Sequence, residues 1–277
     1  MTTSHQERAA LFHTLHTDGE VLALANAWDV ASACVSVAAG VRAVATTSAG
    51  VAWSLGAADG DRLDRSRAVD LVARVVAAVD VPVTADIETG FGTTPDDVAE
   101  TIRAVLTAGA VGVNIEDSFA TDDGPLRTVD EQTARLTAAR SAADEVGIPL
   151  YINARTDTYL RSVGDTETRF KSTVERAHAY LNAGASGIFV PGLADLDTIT
   201  ALAREIPAPL NITVGPRSPS VGELRAAGVA RVSLGPAVAE AAYGLMRRAT
   251  RELLESGTYK SVQDTMTWGE LNGLLGG

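Results

Sequence analysis

Four times in this chain a helical pattern runs into Ala-Gly and then directly into a short β-branched stretch. The junctions are Ala39-Gly40-Val41-Arg42-Ala43-Val44, Ala108-Gly109-Ala110-Val111-Gly112-Val113, Ala183-Gly184-Ala185-Ser186-Gly187-Ile188 and Ala227-Gly228-Val229-Ala230-Arg231-Val232. A glycine just past a helix can take the left-handed conformation that closes the last turn. The next strand then starts at once, as short helix-to-strand loops require. A chain built this way alternates helix and strand, which leaves few architectures open.

Counting strands on that basis gives eight, near 21–26, 41–48, 82–88, 111–116, 149–155, 187–191, 209–214 and 230–234. Most are continuous apolar runs, which suits parallel strands buried on both faces. Helical patterns fill the gaps. The stretch 66–79 carries Val69, Val72, Val76 and Val79 at helical spacing. The stretch 96–108 opens on Thr94-Pro95-Asp96, residues suited to a first turn. Others span 130–146 and 167–183. Eight β-α units in about 235 residues predict an α/β fold, a (β/α)8 TIM-type barrel. The barrel is expected over about 20–257 of a single domain, 1–277. An extra helix precedes it near 5–16, and another follows near 261–274, within a C-terminal segment of about 258–277. The rival is an open doubly wound sheet, but no G-x-G-x-x-G follows the first strand.

Composition narrows the function classes. The chain has 277 residues and a formal net charge of −12. That balance disfavours nucleic acid and anionic membrane surfaces as partners. A single cysteine, Cys34, excludes an intrachain disulfide framework and a cysteine-ligated zinc site. Aromatic residues make up only 5%, so the core must come from Ala, Val, Leu and Ile. No apolar run reaches the ~18 residues of a membrane span. The polar start MTTSHQERAA has no h-region. A soluble cytoplasmic protein is the expectation.

In such barrels the chemistry sits at the C-terminal ends of the strands. Strand 2 ends Thr46-Thr47-Ser48-Ala49-Gly50 and strand 3 ends Asp86-Ile87-Glu88-Thr89-Gly90-Phe91-Gly92. Strand 4 ends Asn114-Ile115-Glu116-Asp117-Ser118, strand 5 Asn153-Ala154-Arg155-Thr156-Asp157, and strand 7 Asn211-Ile212-Thr213. Acids and one arginine therefore converge on one mouth. Asp86 and Glu88 are two apart, so on a strand both point the same way. Glu116 lies on the neighbouring strand. Three clustered carboxylates repel unless a cation sits between them. They are hard oxygen donors with no His or Cys among them, which points to Mg²⁺ or Mn²⁺ held partly through water. The alternative is helix capping, or pairing with Arg155. Arg155 suits a substrate carboxylate, because its planar fork bonds two oxygens at once. Ser48-Ala49-Gly50 has small residues that let backbone N–H groups approach an anion, although a simple turn explains it equally well.

Other polar residues suggest no chemistry. His13 and His16 lie one turn apart on the N-terminal helix and suit a surface or packing role. His178 falls within a helical pattern and is expected to be partly buried. Cys34 suits a small core residue. Asp29 is expected to cap a helix.

These motifs taken together resemble the isocitrate lyase / phosphoenolpyruvate mutase superfamily. The resemblance rests on Asp86–Gly92, Asn114–Asp117 and Ala154–Asp157. Ser48–Gly50, Leu55-Gly56-Ala57-Ala58-Asp59 and the tail Gly257–Met266 extend it. It covers about 20–270, in order. The resemblance implies a barrel with a helix swapped between subunits, in a homo-oligomer (a dimer, or a tetramer built from dimers). It implies Mg²⁺ near Asp86, Glu88 and Glu116, with Asp59 nearby. It implies a small 2-oxo or 2-hydroxy acid as substrate, whose C–C or P–C bond is handled through a metal-held enolate. Ser48 with the next amides, and Arg155, would hold the carboxylate. Asn211 and Thr213 match strand-7 positions that bind the far end of longer substrates. The chain departs from the pattern in several places. The mutases' Glu-Asp-Lys with a downstream Asn-Ser is absent. Thr46 stands where the lyases carry an aromatic residue, and Phe189-Val190-Pro191-Gly192 replaces the strand-6 His or Glu. Where the lyases carry a Lys-Lys/Arg-Cys-Gly-His loop, residues 118–127 hold no Cys, His or Lys. Asp122 and Asp123 are then the acids on that loop. The expectation is a Mg²⁺-dependent C–C lyase or hydrolase. The alternatives are a phosphonate mutase or hydrolase, and a non-catalytic 2-oxo-acid binder.

Overall fold

A computed structural model of the chain describes residues 4–119 and 126–276, so Asp122 and Asp123 lie outside the described residues. Helix α1 (His5–Thr14) precedes eight strands. These are β1 (Leu22–Leu24), β2 (Val44–Ala45), β3 (Val83–Asp86), β4 (Gly112–Glu116), β5 (Tyr151–Arg155), β6 (Gly187–Val190), β7 (Leu210–Thr213) and β8 (Arg231–Ser233). Every ladder is parallel, and the order is β1-β8-β7-β6-β5-β4-β3-β2. The seam between β1 and β2 carries one bridge, Ala27 to Thr46. The fold is the expected (β/α)8 barrel.

The repeated Ala-Gly junctions explain how each turn is made. Ala39, Ala108, Ala183 and Ala227 each cap a helix. Gly40, Gly109, Gly184 and Gly228 follow with φ between +90° and +102°. An L side chain there is strained. At Gly184 there is also no room, because a Cβ would meet Arg140 Cβ at 2.8 Å.

The predicted helices are α4 (Arg65–Ala78), α5 (Pro95–Thr107), α6 (Val129–Val146) and α7 (Thr166–Asn182), preceded by α2 (Val30–Ala38) and α3 (Ser48–Ser54). Then come α8 (Leu196–Glu205), α9 (Val221–Ala226) and the long α10 (Ala237–Ser256). The expected C-terminal helix is in fact a 3-10 turn at Lys260–Val262 followed by α11 (Trp268–Leu275). Capping boxes at Asp29/Ser32, Thr94/Asp97 and Thr128/Glu131 start α2, α5 and α6.

The outward faces of the strands pack on the helices; the main cluster buries Ile102, Val105, Leu136, Ile152, Ile188 and Ile212, and a second, with Val44, Val75 and Val83, joins β2 and β3 to α2 and α4. Helix α1 closes the N-terminal end of the barrel. His5 and His13 bond the carbonyls of Ala110 and Pro149 through Nε2, at 2.9 and 3.0 Å. His16 is buried and stacks on Tyr151, with ring centroids 3.9 Å apart. Burial, with Arg231 nearby, lowers its pKa to about 3. Its role is packing. Cys34 is a core residue, whereas His178 is exposed rather than partly buried. Among the described residues no helix is long and apolar enough to cross a membrane.

Candidate active site

Ladder register fixes which side chains enter the barrel. Asp86 pairs with Asn114, Asn114 with Asn153, Glu116 with Arg155, Arg155 with Phe189, and Asn211 with both Phe189 and Arg231. Paired residues in a parallel sheet face the same side, and residues two apart on a strand share a face. All of these therefore point inward. Asp117 points outward. It is fully buried among the helices and accepts bonds from the Asp157 amide, the Tyr180 hydroxyl and Arg176. It does not join the mouth.

A cavity of about 510 Å³ opens at the C-terminal strand ends. Of the predicted site residues, Ser48, Ala49, Asp59, Asp86, Arg155 and Thr213 line it. Arg155 is the best-anchored of these. Its Nε and Nη2 bond the two carboxylate oxygens of Asp157 at 2.6 and 3.0 Å, and Nη1 lies 2.7 Å from Glu116 Oε2. A guanidinium has five N–H donors. Two remain for a substrate, while the two carboxylates hold Arg155 firmly in its charged form.

Asp86 receives the Ser48 amide at 3.2 Å and the Ser48 hydroxyl at 3.0 Å, and its own N–H donates to Thr46 Oγ1. Ser48 therefore orients Asp86. The small residue at Gly50 has a packing cause. A Cβ there would meet Thr47 and Trp28 at 2.8 Å, and Gly50 does not line the cavity.

Glu88 departs from the strand argument. The strand ends at Asp86, and Glu88 has φ +51°. Its carboxylate turns to accept the Asp61 amide. Asp61 and Phe91 share this left-handed backbone, at φ +52° each. Such strain costs about 1–3 kcal/mol per residue and persists where the surroundings impose it. Burial raises the pKa of Glu88 to about 8, with Asp61, Asp59 and Asp86 adding to the rise. Partial desolvation and Asp86 likewise push Asp59 up. Glu116 is raised by burial, although Arg155 opposes the rise. The three predicted metal ligands do not close on one point, because Glu116 is drawn to Arg155 and Ser118, and Glu88 to Asp61. Among the described residues no three His, Cys, Asp or Glu side chains are placed to share an ion.

Asn211 sits beneath the cavity rather than on its wall. It is 1% exposed, and neither amide atom has a partner. Beside it lies Arg231, also 1% exposed, which donates to Asn114 Oδ1 at 3.4 Å. Asn153 donates to the same oxygen at 2.9 Å. Arg231 can only donate, so the Asn114 atom facing it must be the oxygen. The Asn114 amide group is thereby turned toward the cavity it lines. Sequence reading missed Arg231 and also Arg135 on α6. Arg135 bonds the carbonyls of Thr89, Gly92 and Thr93 and so fixes the loop after β3.

Comparison with known proteins agrees with this geometry. The family described as phosphoenolpyruvate phosphomutase matches residues 12–254. The chain belongs to this family. It is 40% identical over 227 residues to an uncharacterised protein of Mycobacterium tuberculosis, covering 81% of each. It is 31% identical over 241 residues to a 2-methylisocitrate lyase of Escherichia coli, covering 82% of this chain and 78% of that one. A crystal structure of a Burkholderia cenocepacia protein superposes with a TM-score of 0.91 at 38% identity, over 99% of this chain and 97% of the other. Membership of the isocitrate lyase / phosphoenolpyruvate mutase superfamily, expected from the strand-end motifs, is borne out.

Proposed function

We propose that this chain is a Mg²⁺- or Mn²⁺-dependent lyase that cleaves a C–C bond in a small 2-oxo or 2-hydroxy carboxylic acid. One observation carries the reading: Arg155, with two unspent N–H donors, faces the same cavity as the carboxylates of Asp86 and Asp59.

The donor set fits a hard divalent cation. Burial holds Glu88 and Asp59 above the usual carboxylate range, and neighbouring acids add to the rise, Asp61, Asp59 and Asp86 at Glu88 and Asp86 at Asp59. Asp86 and Asp59 would meet the ion from the cavity wall. Glu88 and Glu116 would bond to its waters, as Mg²⁺ commonly retains several. When bound, the ion supplies Lewis-acid stabilisation of enolate charge.

The chain's own residues do the rest. Arg155 binds the substrate carboxylate and is kept from swinging by Asp157 and Glu116. Ser48 aligns Asp86. The Asn114 amide donates to a substrate oxygen, and Thr213 contacts the distal fragment. Asp122 and Asp123 are the proposed acids for the proton step. Helix α10 buries one residue, Ala239, and exposes Tyr243, Met246, Leu253 and Leu254. That supports a homo-oligomer, a dimer or a tetramer with a C-terminal helix exchanged between subunits.

The test is product detection by ¹H and ³¹P NMR with Mg²⁺ and a panel of oxaloacetate, 2-methylisocitrate, substituted malates and phosphonopyruvate, with an EDTA control. EDTA-sensitive C–C cleavage supports the lyase reading. Loss or formation of a P–C signal would replace it with phosphonate chemistry. Metal-dependent binding without turnover would replace it with a binder.

A further inference from the structure

Asp117, which points away from the mouth, controls how the chain beside the mouth is aimed. It is the residue after β4, and its carboxylate is fully buried. Its amide continues the ladder between β4 and β5 by donating to the Arg155 carbonyl at 3.2 Å. In a continued parallel ladder the Asp157 amide would next bond the Asp117 carbonyl. It bonds the Asp117 carboxylate instead, through Oδ1 at 2.9 Å. The freed carbonyl accepts the Arg127 amide at 2.8 Å. The chain after β5 therefore leaves the ladder at Asp157, and the Asp117 side chain sets how it leaves.

Asp157 carries that setting to the cavity. It is 1% exposed, and its carboxylate holds Nε and Nη2 of Arg155. One residue thus has its amide tied to Asp117 and its side chain tied to Arg155. Asp117 is braced from behind by α7. Arg176 Nη1 lies 3.1 Å from Asp117 Oδ2, and the Tyr180 hydroxyl donates to the same oxygen at 2.8 Å. Arg176 also reaches the Tyr180 hydroxyl and the Arg127 carbonyl, each at 2.9 Å. A buried ion pair is weak grounds for stability, because well-packed apolar groups commonly do as well. What the charge supplies here is direction: three donors from three places fix the plane of one carboxylate.

We propose that Asp117, braced by Arg176 and Tyr180, is a positioning residue that aims Arg155 through Asp157. It touches neither the cavity nor a substrate. Its effect is to hold the guanidinium fork in one orientation before a ligand arrives, so that less ordering is left for the binding step. This rests on the proposed function only in taking Arg155 as the group that meets the substrate carboxylate.

The experiment follows the Arg155 Nε–H signal by ¹⁵N NMR of the arginine-labelled full chain, free of metal and ligand. Its loss in Arg155→Lys assigns it. Tyr180→Phe removes one donor and keeps the ring. Asp117→Asn puts an NH₂ group where Arg176, which can only donate, needs an acceptor. Both variants should shift or broaden the signal, the asparagine variant more. Gly184→Ala, at the other end of the barrel, is the control: it costs stability and should leave the signal in place. The second measurement is calorimetric binding of oxalate with Mg²⁺. Affinity is expected to fall about five-fold in Tyr180→Phe and at least about ten-fold in Asp117→Asn. An unmoved signal in both variants overturns the proposal, whatever oxalate does. A signal moved equally by Gly184→Ala also overturns it. A moved signal with unchanged oxalate affinity leaves the positioning standing and overturns Arg155 as the carboxylate clamp. Wild type that binds no oxalate overturns the proposed function, and the NMR result still decides the positioning. If Asp117→Asn does not fold, Tyr180→Phe decides alone.

Discussion

Arg155 and Glu116 are register partners on adjacent strands, and their charged ends meet at 2.7 Å beside the cavity. The pair is largely buried, so neither partner can be lost cheaply. Arg155→Lys keeps a charge but not the fork that spans Glu116 and Asp157. We expect kcat/KM to fall by at least about 100-fold, and unfolding stability by on the order of 3 kcal/mol. Kinetics and chemical denaturation measure both. Wild-type turnover in the lysine variant would remove Arg155 from the site.

Asp86→Asn removes the carboxylate that Ser48 aligns. Mg²⁺ affinity should drop by at least about ten-fold, since even supporting residues around a metal contribute about 10–100-fold. Titration with the activating ion measures it. Undiminished affinity would show that the metal is held elsewhere.

Glu88 gives a pH signature. Its folded pKa, about 8, lies above the ordinary 4.5. Between these values the folded state holds a proton that the unfolded state has released, so stability from this group falls as pH rises from about 4.5 to 8. The metal-free protein should melt earlier at the alkaline end of that window. Glu88→Gln should flatten the slope, and saturating Mg²⁺ should reduce it by favouring the carboxylate. Melting curves across the window, with and without the ion, decide this.

Gly184→Ala places a side chain at φ +102° and within 2.8 Å of Arg140. We expect a loss of roughly 1–3 kcal/mol. The position lies at the opposite end of the barrel from the cavity, so kcat below the melting transition should stay near wild type. A stable variant would mean the junction tolerates repacking.

Ser48→Ala removes one hydroxyl from Asp86 but leaves the backbone amide. A fall in kcat/KM of about ten-fold is expected, in line with about 1.5 kcal/mol for a hydrogen bond to a charged group. A larger fall with a change in KM alone would make Ser48 a substrate contact.

The fold was legible because Ala-Gly junctions and apolar runs report local events that tertiary packing does not override. Asp86, Arg155 and Thr213 were readable for the same reason: strand ends declare which way they point. Glu88 and Gly50 fall beyond the reach of that geometry, where the strand period stops. Glu88 lies past the last ladder residue, and Gly50 lies inside a helix that begins at Ser48. Arg231 and Arg135 were invisible because a buried arginine looks like a surface one until the elements close around it. Each carries one charge into an apolar pattern, and nothing local marks it.

Leu22 on the first strand pairs with Arg231 on the last. The cylinder therefore cannot shut while the ribosome is still making its middle. Everything from β2 to β7 must wait as an open, curling sheet whose two edges stay available. The Arg231 guanidinium arrives with the closing strand and is sealed inside as the final wall is laid. A truncation that removes β8 would leave β1 without its ladder partner and with the single Ala27–Thr46 bridge, and the product should be retained by chaperones rather than released as a smaller, folded barrel.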